Sequence, residues 1–433
     1  MKKMICLLIS VCMILCLGGC QKGNDQPELP ENTDKPENQV SSENAENQES
    51  GDKDEMRPLT LEKSLHSYYE WTEDNEQLLV RSKHSIVTLG QEAAQEYPEM
   101  AEVLNQIATM QENTMLDEFD NLVSFANERI SINRDTFETY VSTLDVQVRR
   151  ADSLVISLLN DTYSHYEQIE NFRVWHGSNY DTKTGKALML NDVVEVNNDL
   201  ALTVQKELTE RVWTGDFYSE TVVEDYFANT PYDGFNWTMD YIGLTFYFLP
   251  GELCDDGIIT ATISFAEHPE FFNEKYMTVP SEYIVELPFD ISFFTELDTD
   301  KTLEAISVSG WYNDEEHHYL DYGVYTDTDG QYYSEECYLY DLHPYFVKTE
   351  KGNYVYLFRE ELEDNLRQMS LVVFTLNADG SVTKLGEMSV SPSWLAENKY
   401  IIPTDPSKLI LDDATNGTSK IEFTVGENGM PNS

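Results

Sequence analysis

The chain has 433 residues, of which 28 are basic and 79 acidic, and its formal net charge is −51. This charge excludes nucleic-acid binding through phosphate contacts, which needs clustered Lys and Arg, and it disfavours anionic membrane surfaces. It favours cationic partners, although solubility in a salty exterior explains it equally well. The length leaves room for two domains.

Residues 1–20 have the pattern of a secretion signal. Lys2 and Lys3 precede an apolar run at 5–17 that is too short to span a bilayer as a stable helix. Leu17-Gly-Gly-Cys20 resembles the bacterial lipobox, which implies cleavage before Cys20 and lipidation of that cysteine; ordinary secretion is the alternative. We expect the mature protein on the outer face of the cell membrane, anchored by the lipid.

Residues 21–57 are rich in Glu, Asn, Asp, Ser, Gln and Pro, and they contain almost no large apolar side chain. Such a segment cannot bury enough surface to offset the entropy lost on ordering it. A disordered acidic tether is therefore predicted, extended by repulsion between its carboxylates.

Residues 58–297 mix helical and strand periodicities without a regular βαβ alternation. An apolar stripe at helical spacing, from Tyr97 through Leu116, Phe119 and Leu122 to Ile130, predicts a helix that packs on a sheet. The predicted elements are a hairpin around 72–76, one or two long helices from Pro98 to about Ile130, strands at 140–148 and 154–159, a tight reversal at 181–185, helices at 199–212 and 220–227, and strands at 243–248 and 258–263. This order favours an α+β class, with an antiparallel sheet packed by helices.

Several of these segments also resemble a known family. The segments are YDTKTGK at 180–186, LNDVV at 190–194, GLTFYF at 243–248 and DGI at 256–258. In this order they resemble the extracellular domain of unknown function shared by the lysozyme-sensing anti-sigma factor RsiV and the peptidoglycan deacetylase PdaC. The resemblance covers roughly Leu59 to Leu297 and implies lysozyme-like proteins or wall glycan as ligands. ENFRVWHG at 170–177 departs from the Gly-Gly-Ala-His type segment common in that family, and if that segment contacts the ligand in the relatives, ligand identity does not carry over.

Residues 298–433 consist of short aromatic-rich runs separated by Asp-Gly and Lys-Gly turns, which predict a mostly β meander as a second domain. Once the signal is removed and Cys20 is lipidated, two cysteines remain, Cys254 and Cys337. They form either a disulfide between the two domains or two free thiols, and the sequence favours free thiols.

The sequence offers no convincing metal or catalytic motif. Asp327, Asp329 and Glu336 fall on positions of a calcium loop, but Tyr325 occupies its first position, and the β-rich flanks favour a plain hairpin turn. Zinc-ligand spacings, a nucleophile elbow and a phosphate-binding Gly-rich loop are not found in the sequence, nor are the metal ligands of the PdaC catalytic domain. We therefore predict no catalytic residues, no metal and no cofactor.

These observations predict a non-catalytic, lipid-anchored extracellular binding protein that recognises a cationic, lysozyme-like protein or cell-wall glycan. Trp175, Tyr232, Phe235 and Trp237 are candidate contact residues because rigid aromatics dominate recognition surfaces, with core packing as the alternative. A cell-wall hydrolase and a structural scaffold lipoprotein of the envelope are the rival functions.

Overall fold

The part of the chain described by the structure, a computed structural model, begins at Met56. It comprises residues 56–166, 172–210, 217–255, 257–289, 291–297, 302–313, 318–327, 332–363, 366–390, 399–412 and 420–432. The predicted signal, the lipidation site Cys20 and nearly all of the predicted tether lie outside the described residues.

The largest sheet, called sheet A, has six strands in the order β19, β1, β2, β3, β4, β5. These strands are β1 Leu61–Trp71, β2 Leu78–Leu89, β3 Tyr140–Ala151, β4 Val155–His165, β5 Phe172–Asp181 and β19 Lys399–Ile402. Neighbouring strands are antiparallel except β2 and β3, which are parallel. The hairpin between β1 and β2 is confirmed, and its loop closes through a bond from Thr72 N to Gln77 O of 3.0 Å.

Two helices connect the parallel strands, α1 Gln91–Glu96 and α2 Pro98–Ile132. Proline is tolerated at the start of α2 because the first turn of a helix leaves its N–H groups without intrahelical partners. The residues of α2 that are buried are Met100, Leu104, Ala108, Gln111, Met115, Glu118, Leu122 and Ala126. The predicted stripe is thus confirmed in position but wrong in detail. It omits the buried polar residues Gln111 and Glu118, and it includes Leu116 and Phe119 where the structure buries Met115.

The two polar residues are buried because sheet A offers them partners. Gln111 Nε2 donates to Asn160 Oδ1 at 3.1 Å, and the Ser142 hydroxyl donates to Glu118 Oε1 at 3.0 Å. Helix α2 therefore packs on sheet A through a seam of hydrogen bonds as well as through apolar contacts. Burial raises the pKa of Glu118 above its ordinary value.

A smaller sheet, called sheet B, packs with short helices in a second core. Sheet B contains β6 Trp237–Met239, β7 Gly243–Phe248 and β8 Ile259–Ser264. The helices are α3 Leu190–Val193, α4 Asn198–Glu210, α5 Val222–Asn229 and α6 Glu274–Met277, with a 3₁₀ turn at Pro269–Phe271. The tight reversal is confirmed: Gly185 has a φ of 65° and its N–H donates to Asp181 O at 2.9 Å.

The remaining strands form three sheets, and the C-terminal region is mostly β, as predicted. The meander sheet has the order β18, β17, β16, β15, β9. Its strands are β9 Tyr283–Glu286, β15 Asp341–Thr349, β16 Gly352–Glu363, β17 Leu366–Leu376 and β18 Val382–Val390. The outer sheet contains β10 Phe293–Thr295, β11 Glu304–Ser309, β12 Tyr312–Asn313, β13 His318–Thr326 and β14 Tyr332–Leu339, and the terminal sheet β20 Leu409–Asp412, β21 Lys420–Val425 and β22 Pro431–Asn432.

Strand pairing crosses the predicted domain boundary at residue 297 in both directions. Strand β19 pairs with β1 in sheet A, and β9 pairs with β15 in the meander sheet. One core cluster contains buried side chains from sheet A, from α2 and from the meander sheet together. The two predicted parts are thus joined by shared sheets and a shared core.

Buried charges lie where these sheets meet. Lys63 of β1 is 1% exposed, and its Nζ lies 2.8 Å from Glu286 Oε1 of β9 and 2.9 Å from Asp145 Oδ1 of β3. Burial opposes the charge of Lys63, but Asp145 and Glu286 more than offset that effect and raise its pKa above the ordinary value. Glu286 Oε2 also accepts the N–H of Val148, at 2.9 Å.

Two consecutive arginines, Arg149 and Arg150, are buried at an irregularity of β3, where its register with β4 shifts. Arg149 donates to the backbone oxygen of Glu286 and lies 3.4 Å from Asp240 Oδ2. Arg150 Nε lies 2.7 Å from Asp152 Oδ2. The two side chains connect sheet A to β9 and to the segment that follows β6.

We predict that Lys63→Met destabilises the protein strongly, by about 3–5 kcal/mol, because Glu286 would stay buried without its counterion. Urea unfolding measures the loss. The matched control is Lys206→Met, because Lys206 pairs with Glu210 at 3.6 Å with both side chains more than half exposed, and we expect it to cost less than about 0.5 kcal/mol. Equal, small losses in both variants would contradict the structural role of Lys63.

A buried histidine makes the stability sensitive to pH. His84 of β2 is 2% exposed, stacks on His66 with a ring distance of 4.8 Å, and has no described hydrogen-bond partner on either ring nitrogen. Burial, and secondarily His66, lowers the pKa of His84 to about 4. The centroid of the Tyr68 ring lies 5.7 Å from the centroid of the His84 ring. It also lies 5.7 Å from the centroid of the Phe119 ring on α2.

We predict that the wild-type protein loses about 2 kcal/mol more stability between pH 7 and pH 4.5 than His84→Leu does. In the unfolded chain this imidazole binds a proton near pH 6.5, whereas in the folded chain it stays neutral until about pH 4. Its contribution is therefore complete above pH 6.5 and is lost as the pH falls. Urea titrations at both pH values measure the difference. Parallel pH profiles would contradict the prediction.

Candidate ligand-binding surface

The structure separates the four predicted contact residues. Trp175, Phe235 and Trp237 are buried, whereas Tyr232 is 48% exposed. The prediction that Trp175, Phe235 and Trp237 lie at the surface is wrong, because their large apolar rings are drawn into the core. Trp175 packs edge-on against Tyr247, and Phe235 packs against the rings of α5.

Strands β5 and β6, which contain or adjoin three of these residues, meet in the interior of the protein. Gly177 of β5 lies so close to β6 that an added Cβ would stand 1.9 Å from the backbone oxygen of Trp237. Asn179 Nδ2 donates to that same oxygen at 2.8 Å, and Asn236 donates to and accepts from the backbone around Trp175. This junction joins sheets A and B by side-chain amides, and it leaves no room for a ligand at Gly177.

An exposed aromatic surface occurs instead on the outer sheet. We call it the aromatic face. It is formed by alternate residues of three neighbouring strands, β11, β13 and β14, whose registers place them side by side: Ser307, Ser309, Asp321, Gly323, Tyr325, Tyr332, Ser334, Glu336 and Tyr338. Tyr332 and Tyr338 are 59% and 57% exposed.

Ring stacking organises the aromatic face. Tyr332 stacks on Tyr325 with 5.6 Å between ring centroids, and Tyr338 stacks on His318 with 3.9 Å between centroids. The ring of Tyr325 covers Gly323, where an added Cβ would clash with it. Stacking thus holds Tyr332 and Tyr338 in place while each stays more than half exposed, and exposed aromatic rings can bind cations or sugars.

The opposite side of β14 is held to the protein by a carboxylate. Glu335 Oε2 accepts the hydroxyls of Tyr333 at 2.7 Å and Tyr322 at 2.9 Å, and Lys384 Nζ lies 3.3 Å from it. Burial acts against ionisation, but these hydrogen bonds and Lys384 keep the pKa of Glu335 below its ordinary value. The paired carboxylate of Glu335 therefore fixes the inner side of β14, while the outer side of the strand is exposed to solvent.

The charge on the aromatic face has a single sign. Strands β11, β13 and β14 contain no Lys or Arg, and the carboxylates of Asp321 and Glu336 lie on the exposed side. Trp311, 65% exposed, donates its backbone N–H to Asp321 Oδ1 at 2.9 Å, which positions that carboxylate beside the rings. The aromatic face is chemically suited to a cationic group.

The calcium-like string belongs to the hairpin between β13 and β14, as the sequence favoured. The Asp327 carboxylate accepts the N–H of Ala305 at 3.0 Å, Glu336 lies well inside β14, and Asp329 lies outside the described residues. In the described part of the chain, no group of three or more His, Cys, Asp or Glu side chains could hold a metal ion.

The two cysteines of the described residues form no disulfide. Cys254 and Cys337 are both free thiols, and burial raises the pKa of Cys337 to about 11, far from the thiolate form. Of the helices that the structure describes, none combines the length and apolar character needed to cross a membrane.

Sequence reasoning missed the aromatic face although its signal was present. The run Tyr332-x-Ser334-x-Glu336-x-Tyr338 alternates with a period of two, as expected for one exposed face of a strand. The pattern alone does not say which side of a strand is exposed.

The fold and this surface define an α+β protein with a mostly β C-terminal region and an exposed acidic, aromatic sheet face. No family model and no curated protein matches the chain. It is similar to the crystal structure of a DUF3298 family member from Bacteroides fragilis, at 11% identity and a TM-score of 0.35, over 51% of this chain and 96% of that chain. It is also similar to a DUF3298 family protein from Pseudomonas aeruginosa PAO1, at 14% identity and a TM-score of 0.34, over 52% of this chain and 99% of that chain. These structural neighbours are DUF3298 family proteins.

Proposed function

We propose that this chain is a non-catalytic, lipid-anchored binding protein on the outer face of the cell membrane, and that it binds a cationic protein of the lysozyme type. The observation that carries the proposal is the aromatic face, where exposed tyrosines and carboxylates occur together on three strands without Lys or Arg. The formal net charge of −51 supports the same partner, because it attracts cationic proteins over long distances.

Cell-wall glycan is the second candidate, favoured by the same exposed tyrosines, since sugar rings also stack on flat aromatic side chains. The cationic protein is preferred because a neutral glycan would not use the carboxylates of Asp321 and Glu336 as counterions. A hydrolase and a structural scaffold remain as further alternatives, and no constellation of described side chains favours either of them.

We expect the intact protein to bind hen lysozyme, and we expect raising the salt from 20 mM to 500 mM to weaken that binding by about tenfold or more, because screening shortens the reach of surface charge. Biolayer interferometry at the two salt concentrations provides the measurement. Lysozyme with acetylated lysines is the matched control, since it keeps its fold but loses positive charge, and it should bind weakly at both salt concentrations.

Three outcomes would contradict this proposal. Absence of binding at low salt removes the lysozyme-like partner. Salt-insensitive binding to purified peptidoglycan, without release of soluble fragments, would replace it with the glycan. Release of soluble fragments from peptidoglycan would make the protein a hydrolase.

The anchoring part of the proposal has its own test. We expect Cys20→Ser to prevent lipid attachment, because the thiol is the acceptor, and to move the protein from the membrane fraction to the medium or to leave it as an uncleaved precursor. Fractionation with mass spectrometry of the N-terminus measures this. The control Cys16→Ser changes a cysteine within the signal and should leave the protein in the membrane. Identical fractionation of both variants with wild type would contradict lipidation at Cys20.

A further inference from the structure

We propose that strand β14 is a docking edge, to which an extended segment of the partner with alternating basic and apolar residues adds as a further strand. The inference rests on the proposed function, because it names the surface that would hold the cationic protein. It also predicts a sequence pattern for the bound segment, which bulk charge attraction does not.

The first observation is an unprotected strand edge. On one side β13 pairs with β11 and β12, and on the other side it pairs with β14. In the described part of the chain β14 pairs with β13 alone, and no described backbone hydrogen bond reaches its other side. Its eight residues offer an edge of about 26 Å.

This edge lacks two of the usual protections, lysine and proline. Sheet edges in soluble proteins are commonly blocked by lysine, by proline or by an irregular strand. β14 contains neither Lys nor Pro, and its register with β13 is regular from Asp321–Glu336 to Tyr325–Tyr332; the register shifts only at the other end, between Tyr319 and Asp321. An edge of this kind is a template for strand addition, in which backbone hydrogen bonds supply affinity and alternate side chains supply specificity.

The outward side chains of β14 select for positive charge. Directly opposite residues on neighbouring strands have Cβ atoms about 5 Å apart, so every second side chain of an added strand would lie beside Tyr332, Ser334, Glu336 or Tyr338. A basic side chain would pair with the carboxylate of Glu336 or rest over the exposed ring of Tyr332 or Tyr338. The aromatic face contains no Lys or Arg that would repel it.

The inward side chains of β14 select for apolar residues. Tyr333 and Cys337 are half-buried and pack on the core between the outer and meander sheets. Glu335, the third inward residue, is already paired with Lys384 and two tyrosine hydroxyls. The intervening side chains of an added strand would therefore meet an apolar, electrically satisfied surface, which gives the bound segment its alternation.

The decisive test compares synthetic peptides that have the same composition. An eight-residue peptide of alternating Lys and Val should bind the intact protein about tenfold tighter than a peptide with the same residues in two blocks, because the alternating peptide alone directs all its lysines to one face. A version with N-methylated backbone amides should lose binding by at least the same factor, because it cannot donate to β14. Equal binding of the three peptides would overturn the proposal.

A pair of variants then locates the site. Glu336→Lys should weaken binding of the alternating peptide and of lysozyme by about tenfold, because it places a like charge on the edge. The matched control Glu220→Lys makes the same change of charge at an exposed residue outside the outer sheet and should change affinity by less than about threefold. Circular dichroism of both variants, whose changed side chains are exposed, verifies the fold.

The outcomes separate the two proposals. Equal lysozyme binding by Glu336→Lys and Glu220→Lys would remove β14 as the docking edge and leave the proposed function in place. Binding of the alternating peptide, lost in Glu336→Lys, by a protein that does not bind lysozyme would support the docking edge and remove the lysozyme-like partner.

Discussion

The arrangement of sheets depends on the buried charges at the end of β3. Successive side chains of a regular strand point to opposite faces, and the register shift here buries both Arg149 and Arg150 with acceptors. Arg149 reaches Asp240 and the backbone of Glu286, while Arg150 reaches Asp152 and the carbonyl of Thr278. Because a buried charge without a partner is very costly, these pairs permit one relative placement of sheets A and B and strand β9.

The buried ion pairs do not account for the acidity of the protein, because each cation in them is matched by a carboxylate. In the described core, Lys63, Arg149 and Arg150 neutralise buried carboxylates, and Arg359 with Lys384 neutralises Glu335 and Glu387 between the outer and meander sheets. The excess of 79 acidic over 28 basic residues therefore comes from carboxylates outside these pairs. The aromatic face inherits this imbalance, and its exposed tyrosines add contact area to what would otherwise be long-range attraction alone.

The same packing explains why the predicted contact residues on β5 and β6 do not form a surface. Gly177 permits β6 to lie against β5 at a distance that no side chain would allow, and Asn179 and Asn236 satisfy the backbone groups left by this crossing. Trp175 and Trp237 are consequently enclosed between the sheets. Recognition is left to the outer sheet, where β14 has a paired side and an open side.

The sequence by itself determined the features that depend on near neighbours along the chain: the start of α2 at Pro98, the reversal closed by Gly185, the β1–β2 hairpin and the β-rich C-terminal region. Tertiary structure alone decided which aromatic residues are exposed, because burial depends on segments distant in sequence, as in the pairing of Leu61 with Ile402. It also placed Gln111 and Glu118 in the buried stripe of α2, since the partners that make their burial possible, Asn160 and Ser142, lie on other strands. The periodicity of a segment shows which side chains share one face of a helix or strand. Whether that face is buried or exposed is decided by the element that packs against it.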